Sequence, residues 1–152
     1  MTQAPSFGVR LAGLPVRMPA GTPLEFVPQA TLHPLPLAPA RVAGLMQLRG
    51  QPLVVLDASP IDGASAAGAP LAAHDVLVVG TLPNAAALLV DGAPQIVPDD
   101  RAALGLPIER AGVLADCPFF DAIVSHRIVE GGDGAQWYEV DPSRLFAALM
   151  AY

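Results

Sequence analysis

Proline recurs along this chain at intervals that leave little room for long helices: 17 of the 152 residues are proline, and they are scattered throughout. An interior proline lacks a helical N–H donor and clashes with the preceding turn. Coiled coils and fibrous classes are therefore excluded. Between the prolines lie short apolar runs bounded by Gly, Pro and Asp-Gly, which is how strands and turns read. Hydrophobic residues make up 53% of the chain, enough to build the core of one compact unit and too many for a disordered segment.

The runs can be placed in order. Phe7, Val9 and Leu11 alternate with Gly8, Arg10 and Ala12, and after Gly13 the alternation resumes at Leu14, Val16 and Met18, so residues 7 to 18 read as a hairpin. Leu24 to Val27 is a short strand with one carboxylate, Glu25. The stretch His33-Pro34-Leu35-Pro36-Leu37-Ala38-Pro39 is held extended by its prolines. It reads as a stiff crossover whose Leu35 and Leu37 pack in the core, with a polyproline ligand for a partner groove as the alternative. Ala40 to Met46 is compatible with one or two helical turns ending near Gly44.

Pro52 to Leu56 and Val76 to Val79 are continuous apolar runs, the mark of strands buried on both faces. Ala58 to Ala73 reads as a surface loop, and residues 98 to 118 as loop with one helical turn. Asp91-Gly92 between Ala86–Val90 and Pro94–Val97 signals a hairpin. Ile123 to Val129 and Gln136 to Val140 pair across a Gly-rich turn at Glu130 to Gly134. Asp141 followed by Pro142 supplies an N-cap and a first helical residue for a short helix that buries Leu145, Phe146 and Leu149. Eight or nine short strands and one terminal helix make an all-β barrel or sandwich.

Charge and reactive groups narrow the function. All eight basic residues are Arg, and the formal net charge is −6. Duplex DNA and anionic membranes repel such a chain, and without Lys neither Schiff-base chemistry nor a P-loop is possible. His33, His74 and His126 stand apart from one another and from other ligands, so no metal site is expected. Cys117, the single cysteine, sits beside Asp116, which disfavours the thiolate; it reads as an inert, buried thiol. Asp99 and Asp100 are adjacent loop acids that cannot flank one substrate atom unaided. No catalytic residues are assigned and no cofactor is expected. A binding module is favoured, with the cytoplasm as the simplest compartment for a chain that shows no secretory leader and no apolar span.

One stretch is specific. Pro39 to Asp57, with Gly44, the Gln47-Leu48-Arg49-Gly50 turn and the apolar run ending at Asp57, resembles the central signature of the CheW family. Thr22 to Val27 is similar to the family's upstream strand and Leu89 to Val97 to a later segment, so the likeness runs through nearly the whole chain. The pattern departs at Gln47, where the family has Asn, at Pro23, and at Asp57-Ala58, where the family continues Asp-Leu-Arg.

The resemblance implies a single domain over residues 1 to 152 made of two small five-stranded SH3-like β-barrels that share a hydrophobic seam, with a short C-terminal helix. It implies a non-catalytic adaptor between a CheA-type histidine kinase and the cytoplasmic tip of methyl-accepting chemoreceptors, in chemotaxis or type IV pilus signalling. By the same likeness Gly44 and Arg49 fall at receptor-contact positions, Gly50 at the turn glycine and Glu25 at the acidic position of the upstream strand. An intramolecular pair between Arg49 and a carboxylate such as Asp57 is the structural alternative for that arginine. Two other readings stay open: a small-molecule-binding β-barrel or degenerate enzyme using Asp91, His126 and Arg127, and a drifted relative that serves another kinase.

Overall fold

The computed structural model describes residues 6–58, 73–97, 117–130 and 136–150. Among them are ten strands, a 3-10 turn at Phe120–Ala122 and one α-helix: β1 (Phe7–Leu11), β2 (Leu14–Arg17), β3 (Leu24–Thr31), β4 (Val42–Leu48), β5 (Gln51–Leu56), β6 (Ala73–Val79), β7 (Ala86–Leu89), β8 (Gln95–Ile96), β9 (Ile123–Glu130), β10 (Gln136–Val140) and α1 (Pro142–Met150). They form two five-stranded sheets, ordered β8-β1-β2-β10-β9 and β3-β6-β7-β5-β4. Each sheet curls into an SH3-like barrel, called here the first and second barrel. The first is assembled from both ends of the chain, because β2 pairs in parallel with β10.

Alternation decides what each strand buries. On β6, Val76 and Val78 point into the second barrel with Met46, Leu53, Val55 and Ala87, while Leu77 and Val79 point out of it. The outward pair meets Val9, Leu11, Val16 and Met18 from the first barrel, together with Leu88, Val90, Phe119, Val140, Leu145 and Leu149. Among the described residues this seam is the largest core, and it belongs to neither barrel alone. The apolar run at Val76 to Val79 is thus buried on both faces, as expected from its composition. The run at Pro52 to Leu56 is not, since Val54 is 39% exposed and only alternate residues point inward.

Asp141 caps α1 through Oδ1, which accepts from the N–H groups of Ser143 at 2.9 Å and Arg144 at 3.2 Å. The cap starts the helix where Pro142 can enter it, and Leu145 and Leu149 then reach the seam with Phe146 half-buried beside them.

Three expectations are corrected. Residues 40 to 46 are not helical; Val42–Leu48 is β4, paired with β5 from Val42↔Leu56 to Leu48↔Gln51. Pairing across the hairpin supplies backbone partners along the whole segment, and this overrides a weak local helical preference. Asp91-Gly92 does not turn a hairpin: β7 pairs with β6 and β5, and β8 pairs with β1. Instead Asp91 carries the chain from one sheet to the other. Its N–H donates to the Arg10 carbonyl at 2.9 Å, and its Oδ2 accepts from the Gly13 N–H at 2.7 Å, closing the β1–β2 turn. Leu35 and Leu37 do not join the core; they are 39% and 104% exposed. The loop expectations at 59–72 and 98–116 and the Gly-rich turn at 131–135 lie outside the described residues.

The interior of the first barrel holds an ion pair. Arg17 and Glu139 are neighbours across β2 and β10 and lie opposite the seam-facing Val16 and Val140. The Arg17 guanidinium donates to Glu139 Oε1 at 2.9 Å and to Ser6 Oγ at 2.7 Å, and both charged side chains are buried. Gly8 lies across from Arg17, and a β-carbon there would sit 2.6 Å from the Trp137 ring. Among the described residues, one indole, Val97 and a desolvated pair occupy the barrel interior. Removing one member of such a pair strands the other. Glu139→Ala is expected to lower unfolding free energy by about 3–5 kcal/mol in urea titration, whereas Arg17→Met with Glu139→Leu is expected to be neutral or stabilising. Equal losses from both variants would contradict this account.

Candidate functional site

The hairpin β4–β5 carries the residues that the sequence marks most specifically. Its two-residue turn is Arg49-Gly50, with φ of +48° at Arg49 and +81° at Gly50, flanked by the Leu48↔Gln51 pair. Positive φ at both central positions is the type I′ geometry that matches the twist of a β-hairpin. Gly50 adopts it freely. Arg49 does not: a β-carbon crowds the backbone in the left-handed region, and residues held there concentrate at binding sites.

The Arg49 side chain reaches Glu25 at the start of β3. One guanidinium nitrogen donates to Glu25 Oε2 and the other lies against Oε1, both at 3.0 Å, so the contact is a two-pronged fork. That geometry is particular to arginine. The hydrogen bond to Glu25, and then its charge, hold the guanidinium even more firmly protonated than usual. Arg49 is 62% exposed and Glu25 41%, so water screens the pair and it adds little to stability. What the pair does is aim a planar cation outward from a fixed hairpin tip.

The partner is not Asp57, the carboxylate weighed from sequence. Asp57 lies beside Arg41: its N–H donates to the Arg41 carbonyl, and its carbonyl accepts from the buried Arg41 guanidinium, both at 2.9 Å. Arg41 falls inside the Pro39 to Asp57 stretch, and the resemblance gives it no role of its own. Its burial follows from its place at the mouth of the β4–β5 hairpin, where it ties the two strand ends together.

Gly44 sits at a different part of the same barrel. His33 and Leu45 exchange backbone hydrogen bonds at 2.8 Å each way, joining the chain after β3 to β4 and closing the second sheet on itself. At Gly44 a β-carbon would lie 2.8 Å from the His33 carbonyl oxygen. Gly44 is buried there and serves the closure of the barrel. The structure thus brings together Glu25, Arg49 and Gly50, and separates Gly44 from them along β4.

Among the described residues no group of three His, Cys, Asp or Glu side chains converges on a point. Asp91 is already committed to the β1–β2 turn, while His126 and Arg127 lie in β9, the edge strand of that same sheet. No helix among these residues is long and apolar enough to cross a membrane.

Comparison with known proteins supplies the frame for this geometry. The model of the CheW-like domain family matches residues 7–149. Among solved structures, the chain is similar to the scaffolding protein TtCheW from Thermoanaerobacter tengcongensis, with a TM-score of 0.59 and 17% identity over 92% of this chain and 90% of that one. No curated protein matches the chain.

The close approach at Gly44 gives a direct check. Gly44→Ala is expected to cost about 1–3 kcal/mol in urea titration, because backbone must move to relieve the contact. Gly50→Ala, where open space surrounds the added carbon, meets only the φ penalty and is expected to cost less. The reverse order would show that the barrel is not closed at His33.

Proposed function

This chain belongs to the CheW-like domain family, whose members are non-catalytic scaffolding adaptors of chemotaxis signalling, and on that footing we propose which partners it joins. It couples a CheA-type histidine kinase to the cytoplasmic tip of a methyl-accepting chemoreceptor, working in the cytoplasm. The receptor meets the hairpin end of the second barrel, where Glu25, Arg49 and Gly50 stand. The observation that carries this reading is the exposed fork itself: a guanidinium pinned by Glu25 on a rigid turn, at the point the family signature marks.

The physical case is one of preorganisation. An arginine free in solution must lose rotamer entropy on binding, and one held by a carboxylate has lost much of it already. Arginine is also enriched among the residues that dominate protein interfaces. Gly50 keeps the turn tight, and Gly44 keeps the barrel beneath it closed. The genes beside this one separate chemotaxis from pilus control: flagellar or pilus-motor genes name the pathway. Binding of this kind consumes no substrate.

Arg49→Glu should leave thermal stability within about 2 °C, since the group is on the surface. It should weaken binding of a receptor-tip fragment at least tenfold by titration calorimetry, while a kinase regulatory fragment binds as before. The double variant Glu25→Arg with Arg49→Glu restores the ion pair in reverse. It is expected to stay defective if the cation itself meets the receptor, and to recover if only the rigidity of the turn matters. Unchanged receptor binding by Arg49→Glu would remove Arg49 from the interface.

A further inference from the structure

β3 carries one residue more than the strand it pairs with. Val27 faces Val76 and Ala30 faces His74, so Pro28 and Gln29 together stand opposite Asp75 alone. Two residues against one make a β-bulge. Pro28 has no ladder donor to lose there. Gln29 is held in left-handed backbone, with φ of +52°, where a residue with a β-carbon is strained.

The extra residue decides which way Glu25 points. Beyond the bulge, Ala30 and Leu32 face the interior of the second barrel, and the His33–Leu45 bridge fixes that stretch to β4. Residues two apart share a face in an unbroken strand, so Phe26 and Leu24 would continue the interior set and Glu25 would fall on the seam side. The bulge inverts this phase. Val27 packs with the interior cluster, Leu24 and Phe26 pack against the seam, and Glu25 stands opposite the interior residue Val78. On that face, near the start of β3, the Glu25 carboxylate meets the Arg49 guanidinium at 3.0 Å.

One side chain holds the bulge. Asp75, the single residue opposite, accepts the Gln29 N–H on Oδ1 at 3.1 Å. Its own backbone is fixed, because its carbonyl accepts the Val90 N–H at 3.0 Å where β6 runs beside β7. The carboxylate replaces the ladder acceptor that a bulge takes from its extra residue, and a charged acceptor makes the stronger kind of hydrogen bond. Asp75 lies three places along β6 from Val78, about 10 Å at strand rise. It acts on Glu25 through the strand.

We infer that Asp75 is a positioning residue for the Glu25–Arg49 fork: by holding the bulge at Pro28-Gln29 it sets the phase of β3, and with it the aim of the carboxylate that fixes Arg49. The inference rests on the adaptor reading above, in which the receptor meets that fork.

The test measures binding of a receptor-tip fragment to the full chain by titration calorimetry. Asp75→Asn keeps a side-chain oxygen for the Gln29 N–H, and Asp75→Ala removes it. Asp75→Ala is expected to bind at least about fivefold more weakly, and Asp75→Asn within about twofold of the parent. Glu25→Gln is expected to weaken binding in the parent and to add nothing in the Asp75→Ala chain, where the carboxylate is already misdirected. Asp75→Ala should melt within about 4 °C of the parent, so the losses are read on folded protein. Parent-like binding by Asp75→Ala, while Arg49→Glu still weakens binding, would overturn the role of Asp75 and leave the receptor site standing. Equal losses from Asp75→Ala and Asp75→Asn, or losses that add in the double variant, would mark a contribution to the fold at large and overturn it as well. A parent chain that does not bind the fragment would overturn both readings.

Discussion

The two barrels are held in register by the hydrophobic seam between them, and every other feature depends on it. A small barrel has room for few side chains, and among the described residues the buried interiors hold Ala, Leu, Met and Val in one case and Trp137, Val97 and an ion pair in the other. The seam gathers the outward faces of β1, β2, β6 and β7 and roofs them with α1. At about 1.5–3 kcal/mol for each fully buried Leu or Val, it is the dominant favourable term of the fold. It also removes the distinction between domain core and domain interface, since neither barrel can bury its outer face without the other.

That arrangement frees the remaining surfaces of the second barrel. With one side committed to the seam, its turns can be shaped independently. The β4–β5 turn presents a fixed cation in type I′ geometry, and the turn Leu35 to Ala38 an uncharged leucine, Leu37, in type II geometry. Both place a residue with a β-carbon in left-handed backbone, where glycine or asparagine would be at ease. Gly44 stands between them in sequence, keeping β4 against His33.

Much of this was legible in the sequence where local rules and tertiary demands agree. The hairpin at 7 to 18, the doubly buried run at Val76 to Val79 and the Asp141-Pro142 helix start are all recovered, because alternation and capping act within a few residues. Legibility failed where a residue's partner is distant. Asp91-Gly92 has the composition of a hairpin, yet the strand after it finds β1 instead, and no local signal distinguishes the two outcomes. Arg17 and Glu139 sit in alternating strands at positions that read as solvent-facing, and only closure of the barrel puts them inside. The family likeness marked Glu25 and Arg49 separately; their contact spans 24 residues and needed coordinates. Leucine usually goes to the core, so Leu37 reads as a core residue, and its turn geometry is invisible without φ.

The central claim is that one chain of this kind holds two other proteins at once through separate surfaces. Sedimentation velocity on a mixture of the chain, a kinase regulatory fragment and a receptor-tip fragment tests it most directly. The account predicts a ternary species containing one of each, formed at concentrations where both binary complexes form. Displacement of one fragment by the other, with binary complexes only, would contradict it.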